Sequence, residues 1–310
     1  MKRRKFIQGT MAVGMVGGLA LNLRGATVPM INKTFGSSSG EKHDLVGVKG
    51  GNPAEMFDRG IEALGGMGNF VKKGQTVVVK PNIGWSREPE SAADTNPELI
   101  HRIIEQCFAA GAVSVSMFDH TCNSWRDCYE KSGLNKVAEA TGAKLVCGNH
   151  ENDYREVDVP QGLKLKSAKI HRLILDSDVF INVPVLKNHG GAVMTCAMKN
   201  LMGIVWDRKY FHKNDLQQCI ADSATVRKPD LNVVDAYRVM KKGGPRGHGL
   251  EDVVTMKYQL LSTDIVAIDS AASKVIDISA DRISHIKHGE ALGLGRTDLE
   301  NMNIKRINIG

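Results

Sequence analysis

The sequence is poor in aromatic residues and lacks two common signatures of cofactor sites. Phe, Trp and Tyr make up 5% of the 310 residues. No two of the six cysteines are separated by two residues, the spacing of ferredoxin-like segments. The glycine-rich stretch 241–249 lacks the order of glycine, lysine and threonine or serine that defines a P-loop. The sequence therefore contains neither a ferredoxin-like iron-sulphur segment nor a P-loop in that stretch.

Acidic residues are absent from the first 25 positions, which hold five bases, Lys2, Arg3, Arg4, Lys5 and Arg24. The formal charge of the whole chain is +7, and without these five bases 36 basic residues face 34 acidic ones. Because the remainder is nearly neutral, charge gives no support to nucleic-acid binding, and we predict no nucleic-acid partner. A chain of this length with 42% hydrophobic residues can bury a large core without disulfides or metals.

The first 25 residues have the layout of an export signal. A basic cluster precedes an uncharged run, residues 6–23, which four glycines make too weakly apolar for a typical membrane span. The order of Arg3, Arg4, any residue, Phe6 and Ile7 resembles the twin-arginine signal. A general secretory signal with incidental arginines is the alternative.

The resemblance to a twin-arginine signal implies the twin-arginine export machinery as a partner and the periplasm as the destination. It also implies export in the folded state, commonly with a cofactor loaded in the cytoplasm. The small residues Gly18 and Ala20 suit cleavage, which would leave no stable membrane span, whereas an uncleaved signal would tether the protein to the membrane. Residues 26–44, with Gly-Ser-Ser-Ser-Gly at 36–40, are predicted to be a flexible tether.

Strand-like and helix-like segments alternate from residue 45 onward. Strands are predicted at 75–82, 112–120, 143–148, 178–185, 231–236 and 305–310. Helices are predicted after a cap at Thr95 or Asn96, at 134–142, from about 192, and at 263–276. This order predicts one α/β domain, residues 45–310, with a mainly parallel sheet and helices on both faces. Two lobes, 45–150 and 151–310, could meet at the carboxyl ends of the strands.

Ionisable side chains cluster after the predicted strand 178–185. Lys187, Asn188 and His189 are predicted on a loop at its carboxyl end, where ligands of open α/β sheets bind. Gly190 and Gly191 would turn that loop into a helix whose free N–H groups favour an anion. The alternative is that these are solvated loop charges.

Lys199 is predicted about two turns into that helix, with its side chain leaning back toward the same cavity. Its neighbours at 196–198 and 201–202 are apolar, which favours a buried and paired lysine. Such a lysine would have a lowered pKa for acid-base or Schiff-base chemistry, or would clamp a carboxylate or phosphate.

Other strand ends and loops contribute candidates to the same edge of the sheet. His212 could be a general base or a metal ligand, and the stretch 241–249 could be a flexible lid or a phosphate loop. Each candidate has a structural alternative as a cap, turn or surface residue. The predicted catalytic residues are Lys187, His189, Lys199 and His212. The predicted cofactor-binding residues are Lys80, Asn82, Asp119, Asn188, Gly190, Gly191, Asn200, Asp235, Gly244 and Asp269.

Six segments, in the same order over most of residues 45–295, resemble an uncharacterised family catalogued as domain of unknown function three-six-two. They read VVVKPN, TNPELI, INVPVLKNHGGAVMTCAMKNLMGIV, KPDLNVVDA, GGPRGHG and STDIVAIDSAA. This resemblance implies almost no chemistry, because the family is defined by sequence rather than by activity.

A weaker resemblance is to the nickel-cofactor domain of lactate racemase, which also has a histidine loop followed by a glycine- and lysine-containing segment. By that resemblance His189 and Lys199 would flank a cofactor. The racemase segment ends in proline-glycine, whereas this chain reads KNLMG.

The sequence leaves the function open between an enzyme, a carrier and a scaffold. The preferred hypothesis is an exported enzyme, of redox or isomerase type, that binds an anionic small molecule or cofactor. The second is a carrier of a metal, nickel or iron, or of an iron-sulphur cluster, through His189, His212 and cysteines. The third is an exported scaffold whose charged loops contact partners. Export also permits disulfides, and Cys122 with Cys128 is the one candidate pair.

Overall fold

A ten-stranded sheet organises residues 42–310, the part of the chain that the computed structural model describes. The predicted signal segment and most of the predicted tether lie outside these residues. The strands are β1 (Leu45–Gly50), β2 (Thr76–Pro81), β3 (Ser114–Met117), β4 (Lys144–Leu145), β5 (Tyr154–Asp158), β6 (Ser167–His171), β7 (Val179–Val183), β8 (Val185–His189), β9 (Val193–Thr195), β10 (Leu231–Met240), β11 (Val253–Ser262) and β12 (Ile304–Ile309). The α-helices are α1 (Pro53–Ala63), α2 (Pro97–Ala109), α3 (Trp125–Lys131), α4 (Leu134–Thr141), α5 (Arg172–Asp176), α6 (Ala197–Asn200), α7 (Arg208–Asn214), α8 (Leu216–Ala224), α9 (Ile265–Val275) and α10 (Ser284–Ala291).

The main path of the sheet has the strand order β12, β1, β11, β10, β7, β2, β3, β4. The run from β10 to β4 is parallel, and β11 is antiparallel to both of its neighbours. Off this path, β8 pairs with β10 in parallel and with β9 in an antiparallel hairpin. β5 and β6 form a separate two-stranded sheet. The predicted α/β fold with a mainly parallel sheet is confirmed.

The two faces of the sheet bury separate apolar clusters. Successive side chains of β2 alternate between them, so Val77 and Val79 pack on one face and Val78 on the other. Helices α1, α2 and α4 cover the first face, and α8, α9 and α10 cover the second. Because the central parallel strands are covered on both sides, they read as continuous apolar runs rather than alternating ones.

The predicted helix boundaries agree with the capping geometry. The Asn96 side chain accepts a hydrogen bond from the Glu98 N–H, and Pro97 is the first residue of α2. Asp264 accepts from the N–H groups of Val266 and Ala267 and so caps α9.

The prediction for the segment after β7 was wrong in its local structure. Lys187 and His189 lie on strand β8 rather than on a loop, and Gly190 and Gly191 form the turn of the β8–β9 hairpin. No helix begins near residue 192, and Lys199 is the third residue of the four-residue α6. The glycine pair therefore opens no helix, and the predicted anion site on helical N–H groups is absent there.

Strands from before and after residue 150 belong to the same main sheet. Within residues 42–310, none of the helices combines the length and apolar character that crossing a bilayer requires.

Candidate functional site

A buried ion pair lies where β2 and β3 end. Lys80 and Asp119 are both buried, and the Lys80 Nζ is 2.9 Å from a carboxylate oxygen of Asp119. The Lys80 ammonium also donates to the Pro81 carbonyl at 2.8 Å and to the Asn200 Oδ1 at 3.0 Å. Burial lowers the pKa of Lys80, and the charge of Asp119 opposes that shift. The ion pair of Lys80 with Asp119 forms the buried base, or floor, of the site.

Asparagine side chains connect this pair to a second buried lysine. The Asn200 Oδ1 accepts from Lys80 and from the Asn82 amide at 3.1 Å. The Asn82 Oδ1 accepts from the Lys187 Nζ at 2.8 Å. The Asn200 amide donates to Asn182 at 2.9 Å. Such a chain of satisfied polar groups holds each member in one orientation.

Lys187 is buried beside a carboxylate that was not predicted, Asp94. The Lys187 ammonium donates to the Ala93 carbonyl as well as to Asn82. One Asp94 oxygen accepts from the N–H groups of Gly84 and Trp85, and the other has no hydrogen-bond partner in the described residues. Burial raises the pKa of Asp94 and lowers that of Lys187, and each shift is opposed by the charge of the other group. The charge of Asp94 thus compensates part of the charge of Lys187, although no ion pair joins the two groups.

Lys199 has no such compensation. It is half-buried, and no hydrogen bond or ion pair joins its ammonium to another residue within 42–310. Burial and the nearby charge of Lys187 lower the pKa of Lys199 to about 8. The expected lowered pKa is therefore present, whereas the expected partner is not. A lysine in this state exchanges a proton near neutral pH.

His189 is fixed as a neutral imidazole. Its Nδ1 accepts hydrogen bonds from the N–H groups of Gly191, at 3.1 Å, and Ala192, at 3.0 Å. Because a backbone N–H can only donate, Nδ1 is unprotonated and the ring proton lies on Nε2. Burial and the charge of Lys199 lower the pKa of His189 to about 3. A metal bound at Nε2 would displace that proton to Nδ1. There it would oppose the N–H groups of Gly191 and Ala192, which already donate to Nδ1, so His189 does not fit the role of a metal ligand.

Arg208, at the start of α7, was also missed by the sequence. Its guanidinium donates to the backbone carbonyls of His120, at 2.7 Å, and Thr121, at 2.9 Å. These carbonyls carry no formal charge, so the cation of Arg208 is anchored without being neutralised.

These groups border two adjoining cavities. The inner cavity has a volume of about 70 Å³ and is lined by residues that include Asn82, Asp119, Lys187, Thr195 and Asn200. The outer cleft has a volume of about 1020 Å³ and the size of a small-molecule site. The two cavities share the lining residues Trp85, Cys122, His189, Lys199, Met202, Arg208 and Pro245. A ligand could therefore reach from one into the other.

The outer cleft is cationic. Five basic residues line it, Lys166, Lys169, Lys199, Arg208 and Lys209, against three acidic ones, Glu151, Glu156 and Asp207. One wall is aromatic, because His120 stacks on Trp206 with ring centroids 4.9 Å apart. Positive lining of a concave surface concentrates anions there.

Two small features shape the inner cavity. The Thr195 hydroxyl is buried and has no hydrogen-bond partner in the described residues. At Gly203, an added Cβ would lie 1.9 Å from an Asp119 oxygen and 2.6 Å from the Lys80 Nζ. Only glycine leaves room for the ion pair at that point.

The structure brings most of the predicted site residues together and assigns others to the scaffold. Around the inner cavity lie Lys80, Asn82, Asp119, Lys187, His189, Lys199 and Asn200, and His212 lines the outer cleft. Asp235 accepts from the N–H groups of Asn96 and Tyr237, so it supports a loop instead of facing a ligand. Asp269 accepts from the N–H groups of Ala197 and Met198 at the start of α6.

The remaining predicted glycines act through the backbone. The Gly190 N–H donates to the Gly244 carbonyl at 3.3 Å, and an added Cβ at Gly244 would lie 1.8 Å from the Asn188 carbonyl oxygen. This close approach places the neighbouring Pro245 over both cavities. Within residues 42–310, neither of the two cavities is lined by Gly190, Gly191, Gly244 or Asn188. The stretch 241–249 thus contributes a wall through one proline.

The possible metal site and the candidate disulfide can both be compared with the described residues. Among residues 42–310, His, Cys, Asp and Glu side chains form no group of three or more that could hold a metal ion. Cys122 and Cys128 are both free thiols, the first exposed and the second buried. The candidate disulfide is therefore not formed.

The chain belongs to the family described as domain of unknown function DUF362, whose family model matches residues 77–274. It is 28% identical over 248 residues to a thylakoid-associated protein of Synechocystis sp., with 77% of this chain and 75% of that protein covered. Among solved structures it is similar to the lactate racemase apoprotein from Thermoanaerobacterium thermosaccharolyticum, at 12% identity and a TM-score of 0.43, over 79% of this chain and 56% of that one. It is also similar to a structural-genomics protein from Thermotoga maritima, at 12% identity and a TM-score of 0.46, over 74% of this chain and 60% of that one. The chain spans less than two thirds of the length of these two solved proteins.

Proposed function

We propose that this DUF362 protein binds an anionic small molecule or cofactor, with the charged head group in the inner cavity and the rest in the outer cleft. We further propose that Lys199 is the group that reacts with it. The observation that carries the proposal is the state of Lys199: a half-buried ammonium without a partner, with a pKa lowered to about 8, where the two cavities meet.

The hydrogen-bonding capacity of the inner cavity supports an oxyanion head group. Lys199 has three N–H donors free of partners in the described residues, and Thr195 has an unpartnered hydroxyl. The His189 ring carries its proton on Nε2 and is a further donor. Because these groups mainly donate, a ligand that only accepts, such as a carboxylate or a phosphoryl group, would satisfy them.

The proposed roles of the two lysines follow from their different hydrogen bonding. Burial lowers the pKa of Lys187 to about 8 as well, but its ammonium is held in place by Asn82 and Ala93 and attracts the head group from a fixed position. In the protein without a bound anion, Lys199 is deprotonated in an appreciable fraction near neutral pH, and in that form it can accept a proton or add to a carbonyl. Proton transfer next to a bound anionic group is chemistry of the isomerase type.

The proposal is tested by anion binding to the full chain. Trp85 and Trp206 line the outer cleft, so their fluorescence reports ligands there. We expect pyrophosphate or citrate to change the signal, Lys199→Met to weaken binding at least about tenfold, and Lys209→Met to weaken it much less. Lys209 is a suitable control because it is exposed at the edge of the same cleft. Unchanged affinity in the Lys199 variant would refute the proposal.

We also propose that residues 1–25 direct export to the periplasm by the twin-arginine route. The support is the pair Arg3 and Arg4 before Phe6 and a weakly apolar run. Replacing both arginines by lysine conserves charge, so a general secretory signal should still work. We expect the double variant to stay in the cytoplasm, and continued export would contradict the proposal.

A further inference from the structure

Cys122 is the exposed thiol at the entrance to the inner cavity. It follows β3, where its N–H donates to the Gly84 carbonyl at 2.8 Å. Its side chain lines both the inner cavity and the outer cleft. The Arg208 Nη1 lies 3.6 Å from its sulphur. The proposed function does not use this thiol.

The other five cysteines are less accessible. Cys107, Cys128, Cys196 and Cys219 are buried, and burial raises the pKa of each thiol. Cys147 is half-buried and lines neither of the two cavities. Since the thiolate is the nucleophile, buried thiols with raised pKa values react slowly. Cys147 is therefore a natural internal comparison for Cys122.

The surroundings of Cys122 favour negatively charged reagents. Lys199 has no partner in the described residues, and Arg208 donates to two backbone carbonyls and to the Cys122 sulphur but forms no ion pair there. Deeper in the same cavity, the buried Thr195 hydroxyl is an unpartnered polar group. An anion that reaches the inner cavity would meet these groups within the reach of the thiol.

We propose that Cys122 is a modification site for small disulfides that carry carboxylates. The Cys122 thiolate attacks one sulphur of the reagent and the reagent's S–S bond breaks. A new S–S bond joins Cys122 to one half, and the other half leaves as a thiolate that takes up a proton. No further oxidant is needed. The attached half places its carboxylate against Lys199 and Arg208 and blocks the passage between the two cavities.

The test compares two disulfides that differ in charge. One is the dianion 5,5′-dithiobis(2-nitrobenzoate) and the other is neutral 4,4′-dithiodipyridine, and the product released by each is followed by its own absorption band. Rates are measured on full-length Cys147→Ser, which reports Cys122, and on full-length Cys122→Ser, which reports Cys147. Because the same thiolate attacks both reagents, the ratio of the two rate constants does not depend on how much thiolate is present.

We expect the anionic-to-neutral rate ratio to be about tenfold higher at Cys122 than at Cys147 at low ionic strength. This excess should nearly vanish in 1 M salt, where the Debye length is about 3 Å. Lys199→Met in the Cys147→Ser background should lower the ratio at Cys122. Equal ratios at the two cysteines, or a ratio that salt does not change, would overturn the proposal. Rapid reaction of the four buried thiols would identify any variant that has unfolded.

The blocking effect rests on the proposed function, and its test separates the two proposals. The mixed disulfide should abolish the fluorescence response to pyrophosphate, and a reducing thiol should restore it. If wild-type protein binds no anion and the rate ratio holds, the proposed function fails and the modification site stands. If pyrophosphate binds equally well to modified and unmodified protein, the attached group does not block the cleft and that part of the proposal is wrong.

Discussion

The lowered pKa of Lys199 can be measured directly, and the surroundings of this lysine set the expected fraction of neutral amine. Burial and the charge of Lys187 lower the pKa of Lys199 from 10.5 to about 8. At pH 7.4 a lysine with the lower value is about one fifth deprotonated, roughly 250 times more than a lysine with the higher value. Only the neutral amine is a nucleophile, so the difference appears as a rate of acylation.

The assay is competitive labelling with a trace of acetic anhydride between pH 6 and 11, followed by peptide mass spectrometry. The reagent is neutral, so the positive cleft does not attract it. Partial burial of Lys199 lowers the plateau of its labelling curve and leaves the midpoint unchanged, so the midpoint is the quantity to compare. We expect a midpoint near 8, raised when pyrophosphate is bound, because an anion favours the charged amine. A midpoint near 10.5 would refute the reasoning about this lysine.

Two further predictions concern the floor of the site. Lys80→Met should reduce the free energy of unfolding in urea by about 3–5 kcal/mol, because it leaves the Asp119 carboxylate buried and unpaired. The double variant with Asp119→Asn removes that charge and keeps an acceptor, so it should be more stable than Lys80→Met alone; equal losses would contradict the ion-pair account. Gly203→Ala should cost about 1–3 kcal/mol, because the new methyl group would lie 1.9 Å from an Asp119 oxygen. Gly84→Ala, where an added Cβ meets nothing within 4 Å, is the matched control and should unfold at nearly the wild-type urea concentration.

The fold was predictable where local chemistry and burial agree. The run Val77 to Val79 is apolar at every position because both faces of the central sheet are covered. Asn96 and Pro97 mark the start of α2 because a cap and an N-terminal proline have local causes. Strands β1 and β11 were not predicted, since their register depends on pairing between segments more than 200 residues apart.

Several members of the site were predictable from the sequence, whereas the way the fold assembles them was not. Gly190 and Gly191 were interpreted as a turn into a helix, although a glycine pair between two strands equally suits a hairpin, and Val193 to Thr195 is in fact a strand. Asp94 and Arg208 gave no local signal, because their roles depend on burial and on carbonyls that folding brings near. Lys199 was expected to have a partner, and the absence of one in the described residues is visible only in three dimensions.

The most direct test of an anion site in the inner cavity is anomalous scattering from crystals soaked in selenate, a tetrahedral dianion that selenium locates without ambiguity. We expect a selenate in the inner cavity, in hydrogen-bond contact with the Lys199 ammonium and close to Lys187 and Thr195. Selenate found only elsewhere, for example in a separate pocket lined by Lys274 and Arg306, with the inner cavity empty, would contradict the proposed anion site.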